Sequence, residues 1–243
     1  IHLSNTLYYS EVFGDRIGIS ANYNHRKFNS LYDRTTQQHE RTVTDPAYLW
    51  SFEMTDNYSI RTSVSGGLKF DYKHSDNTRI FLNTSYSSYW EHANIKTAVY
   101  DTALGVAVPA ANGTYTGSGG ILPGYTNDVT VWRPFNNSKV TNRSIAFNRR
   151  LETLHVMLGA VHKYDTLEID YDGFWSDSAS IYPGNYTTDY IARGISMRFE
   201  KSDEPFFPNL SQVSGPDITN INSYTENLFN VFQATGDDIY KGG

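Results

Sequence analysis

No cysteine occurs among the 243 residues, which removes disulfide scaffolds, zinc–thiolate sites and thiol nucleophiles together. No run of eighteen apolar residues occurs either, and that excludes helical membrane spans. Basic charge is scarce: 20 Lys and Arg stand against 26 Asp and Glu, with no basic stripe among them. Nucleic acid is therefore not an expected partner. A 3.6-residue apolar stripe never survives beyond one turn, so helices are confined to small pieces in loops. The seven histidines show neither H-x-H nor H-x-x-x-H spacing, and no metal site is expected. No phosphate-cradling glycine loop, nucleotide fingerprint or Ser-His-Asp order appears. The reading nominates no catalytic residue and no cofactor, and does not expect an enzyme.

What is present is aromatic and alternating. Tyr (19) and Phe (13) lift the aromatic share to 15%, yet mean hydropathy is −0.51. From Ile60 to Tyr72 the chain alternates without a break. Ile60, Thr62, Val64, Gly66, Leu68, Phe70 and Tyr72 fall on one face, and Arg61, Ser63, Ser65, Gly67, Lys69 and Asp71 on the other. Such a ribbon would reach roughly 43 Å, about twice a common soluble strand. Further strands are predicted over about 2–12, 16–27, 78–90, 152–163, 166–176, 189–201 and, more weakly, 226–235. Turns near Gly14-Asp15, His74–Asn77 and Lys163–Asp165 are short. The connections between them, about 28–56, 92–150 and 203–222, are long and rich in polar residues, Gly and Pro.

Strict alternation of short turns with long loops is the habit of outer-membrane barrels, whose periplasmic turns are short and outer loops long. Aromatic residues at predicted strand ends (Tyr72, Tyr89, Trp90, Trp175) fit interfacial girdles. The expected fold is all-β: part of an antiparallel transmembrane β-barrel with seven or eight long strands, apolar toward lipid and polar toward a wet lumen. Residues 1–243 are read as one barrel domain and as an internal piece of a longer protein.

Glu11-Val12-Phe13-Gly14-Asp15-Arg16-Ile17-Gly18-Ile19-Ser20-Ala21-Asn22-Tyr23 resembles the early barrel hairpin of TonB-dependent outer-membrane receptors. Ser214-Gly215-Pro216-Asp217-Ile218-Thr219 and Gly236-Asp237-Asp238-Ile239-Tyr240 are similar to segments of large members of that family. The resemblance implies a location in the bacterial outer membrane, in contact with its lipid, and about the first third of a barrel of about 22 strands. It also implies import of a scarce solute, such as a ferric chelate, vitamin or oligosaccharide, with energy delivered by the TonB complex through a plug. Neither a plug nor a TonB-contacting box is recognisable in the chain.

Two residue groups are candidates for ligand contact. Tyr100, Tyr115, Tyr125, Trp132 and Phe135 lie in or beside the long central connection among Asn and Thr, a mixture suited to stacking on sugars or planar chelates. The competing reading is that they pack the loop onto itself. Glu168, Asp170 and Asp172 share one strand face and, with Arg61 and Lys69, would face the lumen. They could steer a cationic ligand, or pair with basic residues of neighbouring strands. Other architectures compatible with the pattern are a passive porin-type barrel and a secreted β-rich adhesin or carbohydrate-binding protein. The last would bury Ile60, Val64 and Leu68 against Leu154, Val156 and Leu158.

Overall fold

A computed structural model describes residues 2–40, 45–201 and 203–242. Seven long strands build one antiparallel sheet: β1 (His2–Phe13), β2 (Ile17–His39), β3 (Leu49–Ser75), β4 (Thr78–Asp101), β8 (Lys139–Tyr164), β9 (Leu167–Arg193) and β12 (Glu226–Gly242). They lie side by side in chain order. Three short strands, β7 (Val129–Val131), β10 (Ser196–Glu200) and β11 (Asn209–Ser214), form a second sheet in the order β11-β10-β7. β5 (Val108–Pro109) and β6 (Tyr115–Thr116) make a small hairpin, and Ile221–Ser223 is a single 3-10 turn.

The sheet is open. β1 and β12 are its two edges and lie at opposite ends of the strand order, so these strands do not close the expected barrel on themselves. Closure requires the first strand to hydrogen-bond the last at a consistent stagger.

At the end we call lower, tight turns join the strands. Arg16 N bonds Phe13 O at 3.2 Å, and both central residues, Gly14 and Asp15, have φ of 54°. Left-handed values at both positions match the right-handed twist of the flanking strands. Asp165 adopts φ 38° in the β8–β9 turn. At the upper end lie the long connections, as expected, but they are shorter than the sequence indicates because the strands run on. β2, β3, β4, β8 and β9 each have 23 to 27 residues. A transmembrane strand needs only about 9–11. The strand expected over 189–201 is two elements: the end of β9, a break at Gly194 (φ 75°), and β10 in the second sheet.

The register fixes the faces. Ile80, Leu82, Thr84 and Tyr86 of β4 stand beside Tyr72, Phe70, Leu68 and Gly66 of β3, and beside Ala160, Leu158, Val156 and Leu154 of β8. Farther along β4 on this face, Trp90, His92, Asn94 and Lys96 are exposed, while the alternates Glu91, Ala93, Ile95 and Thr97 are not. Side chains splay on a convex side and crowd on a concave one, so the apolar side is the outer, convex face. Tyr89, expected in an outer girdle, points the other way.

The outer face has two apolar zones. In the lower one Leu7 is 67%, Leu68 45% and Leu158 57% exposed. The upper one carries Phe52, Val140 and Ala192, all buried, on the same face by two-residue count. Here the second sheet lies on the first: Trp132, Ile195, Met197 and Phe199 complete the core. Between the zones run Asp56, Asn94, Lys96 and Ser144. The chain thus covers its upper apolar surface with its own residues and leaves the lower one bare.

Candidate functional site

The inner face is mixed, with polar residues in the majority, and its most concentrated chemistry is a patch two rows high across four strands. One row is Phe28, Arg61, Glu91 and Arg149, neighbours on β2, β3, β4 and β8; the adjacent row is Arg26, Ser63, Tyr89 and Leu151. Period-two alternation delivers these side chains to one face, and register sets them abreast. Both oxygens of Glu91 are engaged: Arg61 Nε donates to Oε1 at 2.8 Å, and the Tyr89 hydroxyl donates to Oε2 at 3.1 Å. The Arg149 guanidinium lies 5.6 Å from the Tyr89 ring centroid, and that of Arg26 lies 5.9 Å from Phe28. Such contacts hold a cation without neutralising it. Among the described residues neither Arg26 nor Arg149 has an ion-pair partner, and Arg149 Nε is buried without a hydrogen-bond acceptor. A cavity of about 310 Å³ is lined by Arg26, Phe28, Arg61, Ser63 and Tyr89.

Of this patch, the sequence offers Arg61 as a lumen charge and Tyr89 as a girdle aromatic. Lys69, the other basic candidate, pairs with Asp71 at 3.7 Å on the same face. Glu168, Asp170 and Asp172 also face inward, opposite Lys163, Val161 and Gly159 of β8. Glu168 pairs with Lys163 at 3.2 Å, whereas Asp170 and Asp172 show no ion pair among the described residues. The acidic ladder is therefore part of the wall's lower charge lattice and separate from the arginine patch.

The aromatic candidates of the long connection scatter. Trp132 is fully buried, its Nε1 donating to Leu49 O at 2.9 Å and its ring 4.5 Å from that of Phe199. It is a core residue and offers no surface to a ligand. Tyr100 is next to last in β4 and packs against Phe52 and Phe199 at 6.3 Å each. Tyr125 packs edge-on against Tyr48 at 5.1 Å. Phe135 carries the guanidinium of Arg133, 4.0 Å from its centroid. Only Tyr115, on the β5–β6 hairpin, is exposed. These residues do not converge on one site; packing accounts for four of the five.

Above the sheet's mid-height, burial shapes the electrostatics of the cap. The Tyr48 hydroxyl donates to Glu40 Oε2 at 2.7 Å, and burial with that bond pushes its pKa up to about 12. Burial raises Asp101 even with Lys139 at 3.6 Å. His39 is lowered by burial and by the charge of Lys201, whose Nζ lies 2.9 Å from its Nε2. A second cavity, about 570 Å³, opens on the outer face beneath the 203–208 loop, lined by Met54, Ala98, Tyr190 and Phe207 with Asp33, Asp56 and Lys96. That loop hangs from β2 by bonds from Thr35 to Phe206 O (3.1 Å) and Gln37 to Pro205 O (2.7 Å). Among the described residues no group of three or more His, Asp or Glu is placed to hold a metal ion.

The chain matches no family model and no curated protein.

Proposed function

We propose that this sheet is a wall segment of an outer-membrane β-barrel, part of a TonB-dependent receptor that binds a scarce solute and imports it. The observation that carries the reading is the contrast between the two apolar zones of one face. Where the upper zone must be shielded from water, the chain supplies Trp132, Met197 and Phe199 to do it. The lower zone, running through Leu7, Leu68, Ile80 and Leu158, is left exposed over successive strands. An exposed apolar band this wide is not sustained in water. Hydrocarbon is the solvent that makes it favourable, and a closed barrel is the only sheet that hydrocarbon tolerates.

The band has the margins of a bilayer-facing surface. Phe13, Tyr72, Tyr164 and Tyr171 lie along its lower side on the outer face, and Tyr23, Tyr86 and Trp90 along its upper side. Above Tyr86 the outer face turns polar with Arg150 and Glu152. In the secreted two-sheet alternative, Leu68 and Leu158 would be buried against each other, whereas both are exposed on a single sheet. Long extensions beyond the bilayer, capped by a folded subdomain, suit loops that capture a solute before it enters the lumen. The TonB complex, acting through a plug, would supply the energy; that part rests on the resemblance alone.

The test is membrane partitioning of the full-length protein. It should require detergent for extraction and show heat-modifiable migration. A protein that stays monodisperse in buffer without detergent would defeat the reading.

A further inference from the structure

We infer that the inner-wall patch of Arg26, Phe28, Arg61, Ser63, Tyr89 and Arg149 is a binding site for an oxyanion, a carboxylate or phosphate carried by the imported solute. The inference rests on the membrane-barrel reading for its biological role, but the site is argued from the wall itself.

Charge decides the ligand class. Three guanidiniums share one carboxylate, and Glu91 already spends both oxygens on Arg61 and Tyr89. Lower on the same face the bases are matched: Lys69 and Arg79 lie within 4 Å of Asp71, Lys73 is 2.7 Å from Asp76, and Lys163 pairs with Glu168. At this level Arg26 and Arg149, three strands apart on the same face, have no ion-pair partner among the described residues, in a chain whose net charge is −6. Each surplus guanidinium rests near an aromatic ring. That arrangement restrains the planar fork while leaving its N–H donors unspent, and a fork of donors fits the paired oxygens of a carboxylate or phosphate. Arg149, whose Nε is buried without an acceptor, sits against the Tyr89 ring that lines the cavity. The cavity of about 310 Å³ between Arg26 and Arg61 admits a small anionic group, with the Ser63 hydroxyl in its lining.

Position favours a solute over a protein carboxylate. Arg61 lies eleven residues above Tyr72, roughly 36 Å along the strand. That is the upper margin of the apolar band and about midway along β3, a level that a solute reaches after passing the upper halves of the strands. Glu91 orients Arg61 and is a positioning residue.

The experiment is calorimetric titration of the detergent-solubilised full-length protein with citrate and with inorganic phosphate at low salt, and with maltotriose as the neutral control. One or both anions should bind and maltotriose should not. Arg26→Gln and Arg149→Gln should each weaken the anion at least fivefold and together abolish it. Arg149→Lys, which keeps the charge and loses the fork, should weaken the anion less than Arg149→Gln does, Glu91→Gln should keep or tighten it, and Lys69→Gln should leave it unchanged. Heat-modifiable migration of every variant guards against misfolding. Equal anion binding by wild type and the double variant would overturn the site. So would a double variant whose only change is protease release of another segment of the protein, which would mean that the arginines hold a protein carboxylate. A detergent-requiring barrel that binds neither anion refutes the site and spares the transporter reading. A detergent-independent protein that binds citrate through Arg26 and Arg149 does the reverse.

Discussion

Trp132 is suspended from Leu49. Its indole nitrogen donates to the Leu49 carbonyl at 2.9 Å, and neither residue has any exposed surface. Through this bond the long connection between β4 and β8 is fixed to the start of β3, and the second sheet gains the ring against which Phe199 packs. Trp132→Ala removes both the bond and a large buried ring, a change that costs about 3–5 kcal/mol in a packed core. The loss should fall on the cap. Hydrogen exchange should accelerate in β7, β10 and β11, while the lower halves of β3, β4 and β8 keep their protection.

The Tyr48 hydroxyl makes the same cap sensitive to alkali. Its folded-state pKa, about 12, lies above the ordinary 10. The folded form therefore keeps a proton that the unfolded form begins to lose near pH 10. The associated stability is full below pH 10 and disappears as pH rises through about 12. Acrylamide quenching of Trp132, with the other three tryptophans replaced by Phe, should rise across that window. In Tyr48→Phe the alkaline step should vanish, at a cost of about 1 kcal/mol at neutral pH for the lost bond to Glu40.

Gly159 is required by its neighbours on the inner wall. A Cβ there would meet the Phe81 ring, the Tyr171 carbonyl and the Asp172 Cβ, all closer than 3 Å. Gly159→Ala should destabilise by about 1–3 kcal/mol through overpacking. Adding Phe81→Ala should recover part of this and not all, because the Tyr171 carbonyl belongs to the backbone and cannot yield. Urea titration of the protein refolded into lipid vesicles would give the double-mutant cycle.

The two faces of β8 should respond oppositely to the same charge. Leu158 lies on the outer band; if that band meets hydrocarbon, as proposed, an arginine there costs about 2–4 kcal/mol near the bilayer midplane. His155, three residues away, faces the wet inner side. Leu158→Arg should therefore depress folded, heat-modifiable protein in the membrane, and His155→Arg should leave it near the wild-type level.

The lower half of this architecture was legible in the sequence, and the upper half was less so. Between Tyr72 and Ile60 one face is apolar and the other polar, so alternation marks the strand, its phase and its lower turn. Beyond Ile60 the strand continues through Asn57, Asp56 and Thr55, where both faces carry polar groups. Hydrogen bonding persists there while the hydrophobic alternation that reveals a strand fades, and the long loops were consequently drawn too long. Ile195, Met197 and Phe199 alternate as well as any residues in the chain, but alternation cannot say which sheet they join; the left-handed Gly194 redirects them. Trp132 read as a ligand contact because aromatic residues in a polar loop look alike whether they stack on a solute or on Phe199. The arginine patch was hidden for another reason. Arg26, Arg61 and Arg149 come from three strands, and their gathering at one level of one face exists only once register is known.

The central claim is that the lower outer face meets hydrocarbon and the inner face meets water. Spin labels placed singly at residues 153–158 of β8, in the protein reconstituted into lipid vesicles, test it directly. Collisions with dissolved oxygen should peak at Leu154, Val156 and Leu158, and collisions with a water-soluble nickel chelate at Thr153, His155 and Met157. Uniform exposure of all six positions to the chelate, or the opposite alternation, would contradict the account.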